Sequence, residues 1–131
     1  MSQESPKWMK VTGIVLSALP GLGMILSGVI KQLNNPGMTE KFTHVFGYPA
    51  SLSSPIGLVE ILCAVLFIVP RTAVLGAILT TGYLGGAVAT HVRVQDYGSA
   101  IAPLFLGIFV WAGLFLRDER LRELLPLREP A

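Results

Sequence analysis

Glu60 is the residue of this sequence whose chemistry is hardest to explain as packing. It is the only charged side chain well inside an apolar stretch, Ile56 to Val69. A carboxylate in such surroundings is costly, so it normally faces other helices and finds polar partners there. Two roles are open for Glu60: a hydrogen-bonded structural carboxylate, or part of a ligand or proton site.

The partners of Glu60 can be predicted from depth along the neighbouring stretches. The hairpin at residues 70–72 gives a common reference level, and Glu60 lies about 14 Å from it at 1.5 Å per helical residue. The same count on the next stretch reaches Thr81, with Thr80 and Tyr83 beside it. We expect Glu60 to pair with Tyr83 or a threonine, directly or through water. Glu60, Tyr83, Thr80 and Thr81 are therefore the candidate ligand-binding residues.

Another group of polar residues lies near the ends of the apolar stretches. By the same count His91 is about 29 Å from the hairpin, too far for direct contact with Glu60. We expect an outer polar cluster that contains His91, Arg93, His44, Glu40, Tyr48, Lys31 and Asp96. Whether His91 and Arg93 share a site is open, because they project about 160° apart on a continuous helix. Anchoring of the helix end at the membrane interface is the alternative role for both.

The sequence does not contain the residue patterns of other common kinds of catalytic or ligand-binding site. No Ser/His/Asp order, P-loop or dinucleotide motif is present, and the single Cys63 excludes an internal disulfide or dithiol pair. Two histidines in separate elements are a weak metal signal, so we predict no metal site, no evident cofactor and no autonomous catalytic activity. The net charge of +2, with scattered basic residues, does not indicate a nucleic-acid partner.

The elements that position these residues are predicted to be membrane-spanning helices. The chain has 131 residues, of which 52% are apolar and only 14% charged, whereas soluble domains carry about 25% charged residues. Four apolar stretches approach the roughly 20 residues that cross a bilayer. The predicted spans are residues 9–31, 53–69, 72–91 and 99–117. We therefore predict one all-α domain, a membrane four-helix bundle in contact with the lipid bilayer.

Two segments outside the spans are predicted to be helical. Phe42, Val45 and Phe46 recur at helical spacing, which predicts a short amphipathic helix that covers the outer end of the bundle between the first two spans. The last span is expected to continue as "RDERLRELL" to Pro126. That helix would form the start of an amphipathic cytoplasmic tail, residues 117–131.

The basic residues predict the orientation. One side of the four-span arrangement carries Lys7, Lys10, Arg71, Arg117, Arg120, Arg122 and Arg128; the other carries Lys31, Lys41 and Arg93. By the positive-inside rule, the N- and C-termini are cytoplasmic. The first apolar stretch is too long for a signal peptide and is predicted to be a retained span. We expect an integral protein of a bacterial inner membrane.

Small residues of the third span have the spacing of a helix-packing motif. Gly82 and Gly86 lie four residues apart, and Ala89 continues the small-residue surface. Packing within the bundle and packing against another chain, in a homo-oligomer or with a partner protein, are both open.

The stretches "ILSGVIKQLNNP", "FGYP", "GLVEILCAVLFIVPRTAVLGAIL" and "GYLGGAVATHVR" resemble, in order and spacing, the DoxX-like membrane proteins. The resemblance covers residues 21–93, about half of the chain, and it implies a four-helix membrane bundle. The positions that match the family pattern are Lys31, Gly47, Tyr48, Pro49, Glu60, Gly86 and His91. The family includes a small subunit similar to those of archaeal thiosulfate:quinone oxidoreductases, proteins linked to membrane oxidoreductase complexes, and relatives that help assemble neuronal receptors.

Two functions are compatible with these observations. The first is an accessory subunit, or a binding protein for a lipophilic ligand such as a quinone, in a membrane oxidoreductase system. The second is a non-enzymatic assembly factor or interaction protein that packs through its third span. A transporter is a weaker possibility, since four spans are few and no inverted repeat is visible.

Overall fold

The apolar stretches fold into long helices in the computed structural model, which describes residues 4–128 and 130. In chain order the helices are α1 (Lys7–Gln32), α2 (Pro36–Glu40), α3 (Ser53–Ile68), α4 (Ala73–Arg93), α5 (Tyr97–Arg117) and α6 (Glu119–Arg122). Four helical segments in the described residues are long and apolar enough to cross a membrane, namely Lys7–Gln32, Ala50–Ile68, Pro70–Arg93 and Tyr97–Arg117. The described part of the chain contains no strand. The predicted all-α bundle is confirmed.

The four long helices form an antiparallel bundle. α1 packs on α3 and α5, and α4 packs on the same two helices, so α1 and α4 lie on a diagonal. The start of α1, the end of α5 and the turn Pro70–Thr72 lie at one end, which we call the termini end. The segment between α1 and α3, residues 33–52, lies at the other end with the turn between α4 and α5. We call residues 33–52 the connecting segment, and this end the connection end.

Glycines let the helix backbones approach at three places. A Cβ added to Gly57 of α3 would lie 2.8 Å from the carbonyl oxygen of Gly28 in α1, and one added to Gly13 would lie 2.8 Å from that of Gly113 in α5. A Cβ on Gly76 of α4 would overlap the backbone at the end of α3. Small residues thus permit the close packing that drives helix association in lipid.

The outward faces of the long helices carry large apolar side chains. One example from each helix is Leu22, Leu62, Ile78 and Leu104, which are 63%, 58%, 56% and 56% exposed. A soluble protein would cover much of this surface, whereas a bilayer solvates it. The chain is an integral membrane protein that contacts lipid along these faces.

The connecting segment is helical, as predicted. Asn35 caps α2 by accepting the backbone N–H of Gly37, and a π-helical turn, Lys41–Val45, continues from α2. Phe42 and Phe46 are buried against the bundle. The segment therefore covers the connection end with Phe42 and Phe46 inward, whereas Val45, the third predicted apolar residue, is exposed.

The predicted continuous helix to Pro126 was wrong. The backbone is extended at Asp118, which ends α5 and caps α6 by accepting the N–H of Arg120. Arg122 donates hydrogen bonds to carbonyl oxygens in the last turn of α5, so these acceptors are satisfied without a further helical turn. The break also lets Leu121 bury itself in the core of the bundle.

Candidate functional site

The carboxylate of Glu60 is paired with the ammonium group of Lys31. Lys31 Nζ lies 2.6 Å from Glu60 Oε2 and donates to Ser27 Oγ at 2.7 Å. Ser27 Oγ in turn donates to Glu60 Oε2 at 3.2 Å. The two charged side chains are only 8% and 6% exposed. We call Lys31, Glu60 and Ser27 the buried triad.

The direct partner of Glu60 is Lys31 and not, as expected, Tyr83 or a threonine, although Tyr83 lies beside Glu60 and interacts with it. We expected Tyr83 or a threonine to pair with Glu60, and Lys31 to lie in the outer cluster. Side chains in a helix lean toward its N-terminus, so those four residues apart meet on one face. Lys31 therefore reaches one turn along α1 toward Ser27, which brings its charge to the depth of Glu60.

The buried triad lines a cavity of about 560 Å³ at the connection end of the bundle. All four long helices and the connecting segment contribute to its walls. The residues that line it include Ile56 of α3; Gly82, Tyr83, Gly86, Ala87, Thr90 and His91 of α4; and Phe46 and Tyr48 of the connecting segment. The cavity thus has mainly apolar walls and a charged, hydrogen-bonded group within them.

The structure brings two of the four candidate ligand-binding residues together. Glu60 and Tyr83 line the cavity, whereas Thr80 and Thr81 do not. Thr80 is fully buried, and its hydroxyl has no hydrogen-bond partner within residues 4–128 and 130. Thr81 accepts a hydrogen bond of 2.7 Å from Trp111 Nε1, in a groove between α4 and α5.

The outer cluster forms in part, around the connecting segment. The ring of His91 lies 5.1 Å from that of Phe46, and Arg93 donates to the carbonyl oxygen of Phe46. The Arg93 guanidinium lies over the ring of Tyr48, 5.3 Å from its centroid. His91 and Tyr48 line the cavity, but Arg93 does not. α4 runs on to Arg93, so His91 and Arg93 meet through Phe46 and not in one pocket.

The remaining outer residues lie outside the cavity. His44 and Glu40 are exposed on the connecting segment and do not line it. Asp96 lies 3.7 Å from His91 Nδ1 and caps α5 by accepting the N–H of Ser99. Hydrogen bonds from the Ser99 hydroxyl and then its backbone N–H lower the pKa of Asp96. Asp96 thus holds the start of α5.

A hydrogen bond ties the connecting segment to α4 beside the cavity. The hydroxyl groups of Tyr48 and Thr90 lie 2.9 Å apart. Sequence reasoning missed Thr90 and also Ser27. Ser27 could have been found from its four-residue spacing to Lys31, whereas the contact of Thr90 depends on the path of the connecting segment.

Three glycines in the second half of α4 make no close packing contact with the described residues. A Cβ on Gly82 or Gly86 would meet no heavy atom of the described residues within 4 Å, and the same holds for Gly85. Gly82 and Gly86 line the cavity; Ala89 is exposed and does not. Gly82 and Gly86 therefore do not pack against another helix among the described residues, and packing of this surface against another chain remains open.

Across residues 4–128 and 130, no three His, Cys, Asp or Glu side chains are grouped as a metal site requires. Comparison with known proteins gives one family: the model of the DoxX-like family matches residues 15–113. No curated protein and no solved structure matches the chain.

Proposed function

The chain belongs to the DoxX-like family, and we propose that it binds a lipophilic ligand of the quinone type within the membrane, as an accessory subunit of an oxidoreductase system. The observation that supports this most is the position of the buried triad in a cavity with apolar walls. Ligand pockets combine these two features, and their usual volume of about 300–1,000 Å³ includes that of this cavity.

The triad offers both kinds of hydrogen-bonding group that a quinone needs. A quinone carbonyl accepts a hydrogen bond, which the Lys31 ammonium or the Tyr83 hydroxyl can donate. A hydroquinone hydroxyl donates one, which the Glu60 carboxylate can accept. Lys31 and Glu60 together can therefore hydrogen-bond to both the oxidised and the reduced form of the ligand. In the proposed system a partner enzyme exchanges electrons with the bound ligand, and this chain holds it and provides a proton acceptor.

Filling the cavity tests ligand binding. Ala87 lines the cavity, whereas Ala89, two residues away on α4, is exposed outside it. We expect Ala87→Phe to abolish saturable binding of a radiolabelled benzoquinone with a decyl chain to the purified protein in lipid nanodiscs. Ala89→Phe is the matched control and should bind like the wild type. Failure of the wild type to bind, or equal binding by both variants, would overturn the proposal.

The accessory role requires a separate test. Native membranes solubilised in mild detergent should yield the chain together with an oxidoreductase whose turnover with quinone falls in Glu60→Gln. If turnover with quinone were unchanged in Glu60→Gln, the buried triad would have no role in the partner enzyme's reaction.

An interaction protein is the second candidate, and the open glycine surface of α4 favours it. Gly85 faces away from the cavity and has no atom of the described residues within 4 Å of an added Cβ. If a partner helix packs there, Gly85→Leu should abolish co-purification of the partner and leave quinone binding intact. Retention of the partner in Gly85→Leu would argue against this function.

A further inference from the structure

The gap between α3 and α4 widens toward the connection end. Near the termini end the two helices touch backbone to backbone, because Gly76 lies directly against Phe67. Farther along α4 a Cβ on Gly82 or Gly86 would have no atom of the described residues within 4 Å. The cavity occupies this part of the bundle, with Ile56 on the α3 side and the two glycines on the α4 side.

The glycines lie at hydrocarbon depth. Gly82 and Gly86 are ten and fourteen residues from the hairpin residue Thr72, or about 15 and 21 Å along the helix axis. A hydrocarbon core is about 30 Å thick. Both glycines are exposed and line the cavity, so the cavity wall has no side chain at these positions.

Side-chain contacts tie the connecting segment to α4 beside the cavity. Tyr48 is hydrogen-bonded to Thr90, Arg93 binds the carbonyl oxygen of Phe46, and the ring of Phe46 packs on His91. These contacts make the connecting segment a structured wall of the cavity. On the α4 side, by contrast, the wall at Gly82 and Gly86 has no side chain.

We propose that the gap between α3 and α4 at Gly82 and Gly86 is a lateral portal for a chain-bearing amphiphile. The ligand enters from the bilayer, its hydrogen-bonding head group reaches the buried triad, and its hydrocarbon chain lies in the portal and extends into lipid. This inference rests on the proposed function and adds the route and the ligand class. The ligand has a polar ring no larger than the cavity and one long apolar chain.

A leucine in the portal tests this route. Gly86→Leu places a branched side chain where the ligand chain would lie, and Gly85→Leu adds the same side chain to the same helix away from the cavity. A Cβ at either position meets no atom of the described residues within 4 Å, so we expect both variants to fold. The probes are a radiolabelled benzoquinone with a decyl chain and the same benzoquinone without a chain, each measured on protein in phosphatidylcholine nanodiscs.

We expect Gly86→Leu to weaken binding of the decyl benzoquinone by about tenfold, which corresponds to about 1.4 kcal/mol, and to slow its association. Binding of the chainless benzoquinone should change less than twofold, and Gly85→Leu should resemble the wild type with both probes. Gly82→Leu should repeat the result of Gly86→Leu and replaces it if that variant does not fold.

The contrary outcomes separate this inference from the proposed function. Equal binding of the decyl benzoquinone by Gly86→Leu and Gly85→Leu would overturn the portal and leave the binding site intact. An equal loss of both probes in Gly86→Leu would also overturn it, because leucine would then act on the head-group site. A wild type that binds neither probe would overturn the proposed function and the portal with it.

Discussion

Removal of the Glu60 carboxylate should destabilise the bundle more than removal of any exposed carboxylate. The change Glu60→Leu leaves the buried Lys31 ammonium with only the Ser27 hydroxyl from the triad. Breaking a buried ion pair by removing one partner costs about 3–5 kcal/mol, because the remaining charge is uncompensated. We expect a loss of that size in the free energy of unfolding for Glu60→Leu.

Two further variants separate the charge from the hydrogen bond. Glu60→Gln keeps an acceptor for Lys31, and a hydrogen bond to a charged group contributes about 1.5–3 kcal/mol, so its loss should be smaller, about 1–3 kcal/mol. In the double variant Lys31→Met/Glu60→Leu no buried charge remains. Since apolar replacement of a whole buried pair is often neutral or stabilising, we expect it to lie within about 1 kcal/mol of the wild type or above it.

Denaturant unfolding in detergent micelles, followed by circular dichroism, gives the free energies of unfolding of Glu60→Leu, Glu60→Gln, Lys31→Met and the double variant. The two leucine and methionine single variants and the double variant then give the coupling between Lys31 and Glu60. Glu40→Gln is the matched control, because Glu40 is exposed on the connecting segment, and it should change stability little. The reasoning is refuted if the single losses from Lys31→Met and Glu60→Leu simply add in the double variant, since residues in contact should not be additive.

Three further predictions concern packing, pH and the groove between α4 and α5. Gly57→Ala should destabilise the bundle by about 1–3 kcal/mol through overpacking. Gly82→Ala has space for a methyl group, so it should be neutral or stabilise the bundle by up to about 1 kcal/mol through higher helix propensity. Thermal unfolding of the two variants measures this difference. Hydrogen bonds lower the pKa of Asp96, so its stabilising contribution is complete above its unfolded pKa of about 3.9 and is lost as pH falls below that value. The protection factor of the Ser99 amide, which is the exchange rate corrected for the intrinsic pH dependence of amide exchange, should therefore fall on acidification in the wild type and stay constant in Asp96→Asn. Trp111→Phe removes the hydrogen bond to Thr81 and should cost about 0.5–1.5 kcal/mol without changing quinone binding, because the bond lies outside the cavity.

The membrane bundle could be predicted because composition and segment length decide it. The four spans follow from apolar runs, and the helical connecting segment follows from the spacing of Phe42 and Phe46. Glu60 could be identified as a site residue because a carboxylate in an apolar helix must find partners. The break at Asp118 was missed because Arg122, from the next turn of chain, supplies the hydrogen bonds that the helix end needs.

The composition of the candidate site was only partly predictable because depth along a helix does not give direction around it. Thr81 and Tyr83 lie at similar depth but differ by 200° around α4, so only Tyr83 faces the cavity. Lys31 was placed too far out because its long side chain carries the charge a full turn from its backbone. The glycines that pack, such as Gly28 and Gly57, have no glycine four residues away, whereas Gly82 and Gly86 have this spacing and do not pack within the described residues.

The most direct test of the account is photo-crosslinking with a benzoquinone that carries a decyl chain and a photoreactive group on its ring. The protein is irradiated with this probe in nanodiscs, and the labelled peptides are identified by mass spectrometry. We expect the probe to label peptides around Glu60 in α3 and between Tyr83 and Thr90 in α4. This labelling should be lost in Ala87→Phe and reduced by competition with the unlabelled ligand. Label confined to the outward faces of the helices, or unaffected by Ala87→Phe, would contradict it.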